Sequence, residues 1–298
     1  MISVRGLRKS YGELEAVRGI DLEVERGEVF AFLGPNGAGK TTTVEILEGY
    51  RERSGGEVRV LGVDPAHPTR DWRERIGIVL QQTRMHPELD VRETLELFAG
   101  YYREPRDVDE TIELVGLAEK SGDRVGRLSG GQQRRLDVAM ALIGDPELLF
   151  LDEPTTGFDP TARRRAWEVV ASLRELGKTV FLTTHYMDEA QVLADRAAII
   201  VGGRIVAEGP PERLGREAAA TEIRFRLPQG VAVAALPLGG DRAETDGRIV
   251  VVHTKEPLRL LNELTGWALS EQLELAALTV GAPSLEDAYI ELTEQAGR

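Results

Sequence analysis

Gly34-Pro35-Asn36-Gly37-Ala38-Gly39-Lys40-Thr41-Thr42 fits G-x-x-x-x-G-K-[ST], the pattern of a phosphate-binding loop. The apolar run before it, Val29-Phe30-Ala31-Phe32-Leu33, has the length and residue types of a buried strand. After it, Thr43-Val44-Glu45-Ile46-Leu47 reads as the opening turns of a helix. Strand, glycine loop and helix in that order are the context the motif requires. Glycines let backbone N–H groups curl around phosphate oxygens, and the helix N-terminus adds its partial positive charge. In such a loop Lys40 reaches the β- and γ-phosphates and the Thr41 hydroxyl holds Mg²⁺.

The chain has 298 residues, enough for one large domain and a smaller one. Its formal net charge of -13 argues against a nucleic-acid or anionic-lipid surface, since both need clustered Lys and Arg. Arg5, Arg8 and Lys9 form one small basic group and Arg163, Arg164 and Arg165 another, each read as a solvated face. Cysteine is absent, which excludes disulfides and thiolate metal sites. No signal segment is expected at the N-terminus, and no apolar run approaches the roughly 20 residues of a membrane-spanning helix. The expectation is a soluble chain unless a partner holds it at a membrane.

Strands are expected at Met1 to Leu7, Leu22 to Val24 and Gly55 to Leu61. From Arg92 to Tyr102 the apolar residues Leu95, Phe98, Ala99 and Tyr102 recur at helical spacing, with Leu97 beside them. Further helices are expected at Val108 to Val115 and Gln132 to Ile143, the latter with Leu136, Ala139, Met140 and Ile143 on one face. Buried strands at Leu148 to Leu151, Thr179 to Thr183 and Ala197 to Val201 alternate with helices at Ala162 to Leu176 and Met187 to Leu193. That alternation predicts an α/β domain around a largely parallel sheet. Beyond Gly209-Pro210-Pro211 the texture changes. A short helix (Glu212 to Ala219), strands at Thr221 to Leu227, Ile249 to His253 and Leu275 to Val280, and helices at Pro257 to Trp267 and Ser284 to Thr293 predict a small α+β appendage of about eighty residues.

A phosphate loop alone says only that a nucleotide binds. Leu148-Leu149-Phe150-Leu151-Asp152-Glu153-Pro154 narrows the choice, because an apolar strand ends there in two carboxylates. Asp152 is placed to hold Mg²⁺ and Glu153 to polarise an attacking water. The competing reading is a helix-capping acidic pair. Upstream, Ser129, Gly130, Gly131 and Gln132 open a helix, so that a hydroxyl and free N–H groups face outward. They read either as an N-cap or as a second phosphate-binding surface, which gains a use only when two chains face each other head to tail.

Leu128-Ser129-Gly130-Gly131-Gln132 resembles the signature sequence of ATP-binding cassette (ABC) proteins, and other elements of that family occur in its order. Tyr11, in Lys9-Ser10-Tyr11-Gly12, resembles the aromatic residue that stacks on adenine. Gln81 matches the Q-loop glutamine that touches Mg²⁺ and the water; its spacing to Pro87-Glu88-Leu89 fits better than that of Gln82. Asp159, in Gly157-Phe158-Asp159-Pro160, matches the D-loop, although Phe158 stands where the family usually has Leu. His185 matches the switch histidine that contacts the γ-phosphate.

The resemblance covers residues 1 to about 215. It implies a P-loop NTPase fold with a parallel sheet core, an antiparallel β subdomain and a helical subdomain, followed by the small α+β domain at 220–298. It also implies ATP hydrolysis with Mg²⁺, in a homodimer formed on ATP binding. In that dimer Ser129 and Gly131 of one chain complete the site around Lys40 of the other, with Glu153, His185 and Gln81 as the catalytic set. Ala282-Pro283-Ser284-Leu285-Glu286-Asp287 and the residues to Thr293 resemble the ending of bacterial ABC-2 type exporter ATPases, including those of daunorubicin and multidrug resistance. Such a chain is cytoplasmic and sits at the inner face of the cell membrane through a separate permease; Met85, His86, Pro87 and Leu89 read either as the surface that receives it or as packing within the helical subdomain. Export is expected over import. Rival readings are an ABC ATPase of translation or DNA repair, which usually carries tandem cassettes or a long coiled-coil insertion, and a phosphotransferase, in which the signature sequence and His185 have no role.

Overall fold

All five residues of Val29–Leu33 are buried, as a strand flanked by parallel neighbours on both sides must be. In the computed structural model this strand lies near the middle of a six-stranded sheet. Residues 1–80, 86–218, 221–241, 243–281 and 285–296 are described.

In chain order the elements of the first part are β1 (Ile2–Tyr11), β2 (Leu14–Val24), β3 (Val29–Leu33), α1 (Lys40–Leu47), β4 (Gly55–Val60), α2 (Arg70–Glu74) and β5 (Ile76–Val79). There follow α3 (Val91–Ala99), α4 (Val108–Leu114), α5 (Gly130–Leu142), β6 (Leu148–Asp152), α6 (Pro160–Glu175), β7 (Thr179–Thr184), α7 (Met187–Leu193), β8 (Arg196–Val201) and β9 (Arg204–Gly209). The main sheet has the order β5-β6-β7-β3-β8-β9 and is parallel except for its last strand. A second, antiparallel sheet has the order β2-β1-β4. Phenylalanines from three adjacent strands fill the core: Phe30, Phe32 and Phe150 all approach Phe181, at 5.6, 5.7 and 5.8 Å between ring centroids. Such pairs contribute about 0.5–1.5 kcal/mol each beyond the area they bury.

The helices follow the expected faces. Leu136, Ala139, Met140 and Ile143 are all buried along α5, and Leu95 is buried in α3 while Leu97, off the stripe, is exposed. Asp90 closes a capping box with Glu93 at the start of α3, and Ser129 closes another with Gln132 at the start of α5. Compact packing divides the chain into Met1–Pro211 and Glu212–Arg298. The second unit takes in most of α8 (Pro211–Ala218), then β10 (Thr221–Arg226), β11 (Ala243–Asp246), β12 (Ile249–Thr254), α9 (Pro257–Ser270), β13 (Ala276–Gly281) and α10 (Leu285–Ala296). Its sheet, ordered β11-β12-β10-β13, is antiparallel throughout. Leu260 and Leu264 of α9 join Ile223, Phe225, Val250 and Val252 in one apolar cluster. The expected cap Ser284 lies outside the described residues. Among those residues no helix is long and apolar enough to cross a membrane.

Candidate functional site

The loop between β3 and α1 is shaped by two glycines that admit no side chain. A Cβ on Gly34 would meet the Ile200 carbonyl oxygen at 2.4 Å, and one on Gly39 would meet that of Ala16 at 2.6 Å. Gly39 also holds φ +105°, a backbone conformation that L side chains rarely adopt. It is the N-cap of α1, with no side chain capping the helix and no acidic residue in the first turn. The first N–H groups and the positive end of the dipole are therefore left for an anion. Asn36, Gly37 and Thr41 are exposed, Pro35 and Thr42 half-buried, Ala38 buried. Lys40 is buried, and its ammonium donates to the carbonyls of Gly34 at 2.6 Å and Pro35 at 3.3 Å. Burial pulls its pKa down from the ordinary lysine value, while the carboxylates of Glu153 and Asp152 work against that shift.

Those carboxylates arrive from the end of β6. The Thr183 hydroxyl of β7 donates to Asp152 Oδ1 at 2.5 Å. Glu153 has left-handed backbone, φ +45°, and its N–H is held by both the carbonyl and the hydroxyl of Thr183 at 3.1 Å. Its carboxylate accepts from Thr156 Oγ1 at 3.1 Å and lies 3.4 Å from Nδ1 of His185, the residue that follows β7. His185 is exposed, and its ring packs on that of Tyr186 at 4.1 Å between centroids; the Arg163 guanidinium lies over the Tyr186 ring. The structure thus brings Lys40, Asp152, Glu153 and His185 together at the carboxyl ends of three neighbouring strands, where open α/β sheets bind ligands.

Tyr11 ends β1 with its ring partly exposed, flanked by Lys9 Nζ at 5.1 Å and the Arg51 guanidinium at 5.4 Å. At α5, Ser129 and Gly130 are exposed, and the polar bonds of Ser129 and Gln132 run within their capping box. Among the described residues, no hydrogen bond joins Ser129–Gln132 to the phosphate loop of the same chain. Asp159 caps α6, accepting from the N–H groups of Thr161 and Ala162 at 2.8 and 2.9 Å. Gln81 and Met85 lie outside the described residues. His86 and Pro87 are exposed, and the carbonyls of Pro87 and Leu89 accept from Gly126 and Val125, just ahead of the signature stretch.

Thr183 and Thr156 hold the two carboxylates and are not singled out by the motifs. Thr183 belongs to a run that reads as a buried strand, and Thr156 is a threonine in a polar turn; neither carries a pattern of its own. Glu48, directly after α1, is also buried; its carboxyl is pushed up to about 8 by burial, with Asp152 and Glu45 adding to the rise.

These features define a mononucleotide-binding domain of the P-loop class, with the Glu153 carboxylate beside His185 and within electrostatic range of the loop lysine. Residues 17–156 match the model of the ABC transporter family, and residues 221–284 match that of an ABC transporter domain-containing protein-like C-terminal domain. The daunorubicin resistance ATP-binding protein DrrA3 of Streptomyces coeruleorubidus is 39% identical over 98% of this chain and 95% of its own length. A Nod factor export ATP-binding protein I of Rhizobium sp. (strain N33) is 40% identical over 98% of this chain and 96% of its own. Among solved structures, cbiO1 of Clostridium perfringens, part of the cbiONQ ABC transporter complex, aligns with a TM-score of 0.67 at 29% identity. That match covers 72% of this chain and 90% of cbiO1. A dimeric ATP-binding cassette in a post-hydrolysis state with ADP and Pi aligns at 0.62 and 27%, covering 70% of this chain and 98% of that one. The chain belongs to the ABC transporter family, as an ATP-binding and ATP-hydrolysing cassette.

Proposed function

We propose that the chain drives an exporter whose membrane-spanning permease is a separate polypeptide, with a drug, antibiotic or other small or lipidic molecule as cargo. The full-length similarity to daunorubicin-resistance and Nod-factor-export proteins supports export, and supports it over a role in translation or DNA repair. Residues 1–215 act as the ATPase domain and 220–298 as an accessory domain; the packing break at Pro211 and a family match beginning at 221 support that division. The chain works at the inner face of the cell membrane, held there by the permease around His86, Pro87 and Leu89.

The observation that carries the ATPase mechanism is the Glu153–His185 pair, 3.4 Å apart, with Glu153 within electrostatic reach of Lys40. On nucleotide binding, Lys40 exchanges the loop carbonyls for β- and γ-phosphate oxygens, a stronger charge-assisted partner. The backbone N–H groups from Gly37 to Thr42 cradle the phosphates, and Tyr11 stacks on adenine with Lys9 and Arg51 against its ring. The exposed Thr41 hydroxyl and the Asp152 carboxylate are oxygen donors that would suit Mg²⁺, a cation that takes few protein ligands and shares phosphate oxygens, and the sequence motif assigns Gln81 to the same task. A Mg²⁺ ion held by Thr41 and Asp152 would neutralise charge on the phosphates. Glu153 orients the attacking water and draws its proton, while His185 donates to the γ-phosphate. Ser129, Gly130, Gly131 and Gln132 of a second copy, with its Asp159 turn, close the site from the other side.

Glu153→Gln keeps the shape of the side chain and removes the base. Expected outcomes are retained ATP binding, an ATP-stabilised dimer in light scattering, and turnover reduced by about a hundredfold or more. Rapid hydrolysis by that variant would remove Glu153 from its role. Tagged Glu153→Gln protein, purified from membranes with ATP, is expected to bring down a polytopic membrane protein. Recovery of ribosomes or DNA-associated proteins without a permease would overturn the transporter reading and leave the ATPase standing.

A further inference from the structure

The N-terminal part of α5 carries a buried cation that the hydrolytic scheme does not use. Arg134, two residues past Gln132, is 8% exposed. Its guanidinium reaches three backbone carbonyls: Nε donates to Pro154 at 3.2 Å, Nη2 to Asp152 at 2.7 Å, and Nη1 to Leu80. Pro154 and Asp152 stand on either side of Glu153, and Leu80 directly precedes Gln81. We infer that Arg134 is a positioning residue for hydrolysis, tying the backbone on both sides of Glu153 to the base of the Gln81 loop and to the helix that begins at Ser129. The inference rests on Glu153 being the hydrolytic carboxylate.

The place of the guanidinium in the sheet shows what it replaces. The β5–β6 ladder ends at the Val79–Leu151 pair, whereas β6 stays paired with β7 one residue further, at Asp152–Thr183. Past the Val79–Leu151 pair, the carbonyls of Leu80 and Asp152 are bridged by one planar fork of N–H donors. Only arginine offers donors in several fixed directions at once; lysine presents a single point charge and glutamine a single amide. Asp137, one turn along α5, lies 3.7 Å away as countercharge to a group that burial makes costly to keep ionised.

Glu153 needs such support. Its left-handed backbone is a conformation a non-glycine residue holds only where its surroundings over-determine it. Thr183 fixes its N–H on one side. Arg134 fixes the carbonyls before and after it on the other, so the carboxylate has one direction in which to point. A second consequence follows for coupling. Arg134 stands on the helix that begins at Ser129, so a nucleotide seated there by a second copy would bear on the same side chain that holds Glu153 and Leu80 in place.

The test is ATPase kinetics of Arg134→Lys and Arg134→Gln, with thermal unfolding as the check on folding, each made also on the Glu153→Gln background. The expected result is a kcat reduced about tenfold or more with KM for ATP within about threefold, since misplacement of the reacting groups by an ångström costs that much. On the Glu153→Gln background, single-turnover hydrolysis should change by less than about twofold, because residues acting as one unit are not additive. A folded Arg134→Lys or Arg134→Gln with wild-type kcat, a loss confined to KM, or a loss that multiplies undiminished onto Glu153→Gln would each overturn the inference. If Glu153→Gln alone hydrolyses ATP at the wild-type rate, it is the assignment of Glu153 that fails instead.

Discussion

Glu48 is the residue whose environment most contradicts its side chain. It is 6% exposed, lines a cavity of about 340 Å³ with Ile76, Leu80, Phe98, Tyr102 and Met140, and lies within electrostatic range of the carboxylates of Asp152 and Glu45. Asp137 and Arg73 also line that cavity, so one further acid and one base face the same space. The folded protein holds its proton up towards about pH 8, whereas the unfolded chain releases it near the ordinary glutamate value of 4.5. A carboxyl raised in this way contributes stability that is complete below pH 4.5 and is lost as pH rises towards 8. Glu48→Gln mimics the protonated form without titrating. It should therefore match wild type near pH 5 and exceed it by about 1–3 kcal/mol at pH 8, read from chemical denaturation at both values. An equal difference between variant and wild type at the two pH values would show that the Glu48 carboxyl titrates normally in the fold. Glu48 carries no pattern in the sequence, because its burial is decided by the strand and helices that close over the end of α1.

At the scale of elements, what the sequence declared and what it hid have one physical explanation. Strands buried on both faces, such as β3, β6 and β7, announce themselves as apolar runs. The amphipathic helices α3 and α5 announce themselves by spacing. The β1–β2 hairpin was legible only at its far ends, Met1 to Leu7 and Leu22 to Val24. Shifts of register after Val4, Leu7 and Lys9 break the two-residue alternation that a half-buried strand should show. β9 was missed because it is a partly exposed edge strand, and β5 because four residues are too few to carry a pattern. Within the site, the loop glycines and the Asp152–Glu153 pair were legible because backbone geometry and chemistry restrict them to few residue types. Thr183 and Arg134 were not, since they act through partners far away in sequence. The restriction can be measured at the start of α1. Gly39→Ala must place a methyl group 2.6 Å from the Ala16 carbonyl oxygen at φ +105°, whereas Gly37→Ala meets open space and only the strain of φ +79°. Gly37→Ala should cost about 1–2 kcal/mol of stability and Gly39→Ala clearly more, with nucleotide affinity lost alongside. Equal melting temperatures for the two variants would mean that the loop relaxes freely around Gly39.

For the whole molecule, the proposed scheme needs two surfaces that no hydrogen bond joins among the described residues of one chain. Lys40, Asp152, Glu153 and His185 form one, and the exposed Ser129 and Gly130 at the head of α5 belong to the other. If two copies complete each other, the two halves can be inactivated on separate chains. Ser129→Arg leaves Lys40 intact but blocks the surface given to a partner; Lys40→Ala does the reverse. Each variant alone should form homodimers in which both sites are defective. In a mixed dimer, one site combines the intact Lys40 of the first chain with the intact Ser129 of the second, while the other site carries both lesions. With random pairing and independent sites, an equimolar mixture should regain about a quarter of wild-type ATPase activity. The ratio of activity to mixed-dimer content, followed as the mixing proportion changes, reads the coupling between the two sites directly. Half the turnover of a wild-type dimer per mixed dimer means that each site turns over by itself, and a clearly lower value means that one site needs the other. Wild-type turnover by Ser129→Arg alone would show instead that one chain holds a complete site, and that the head of α5 serves only as a helix cap.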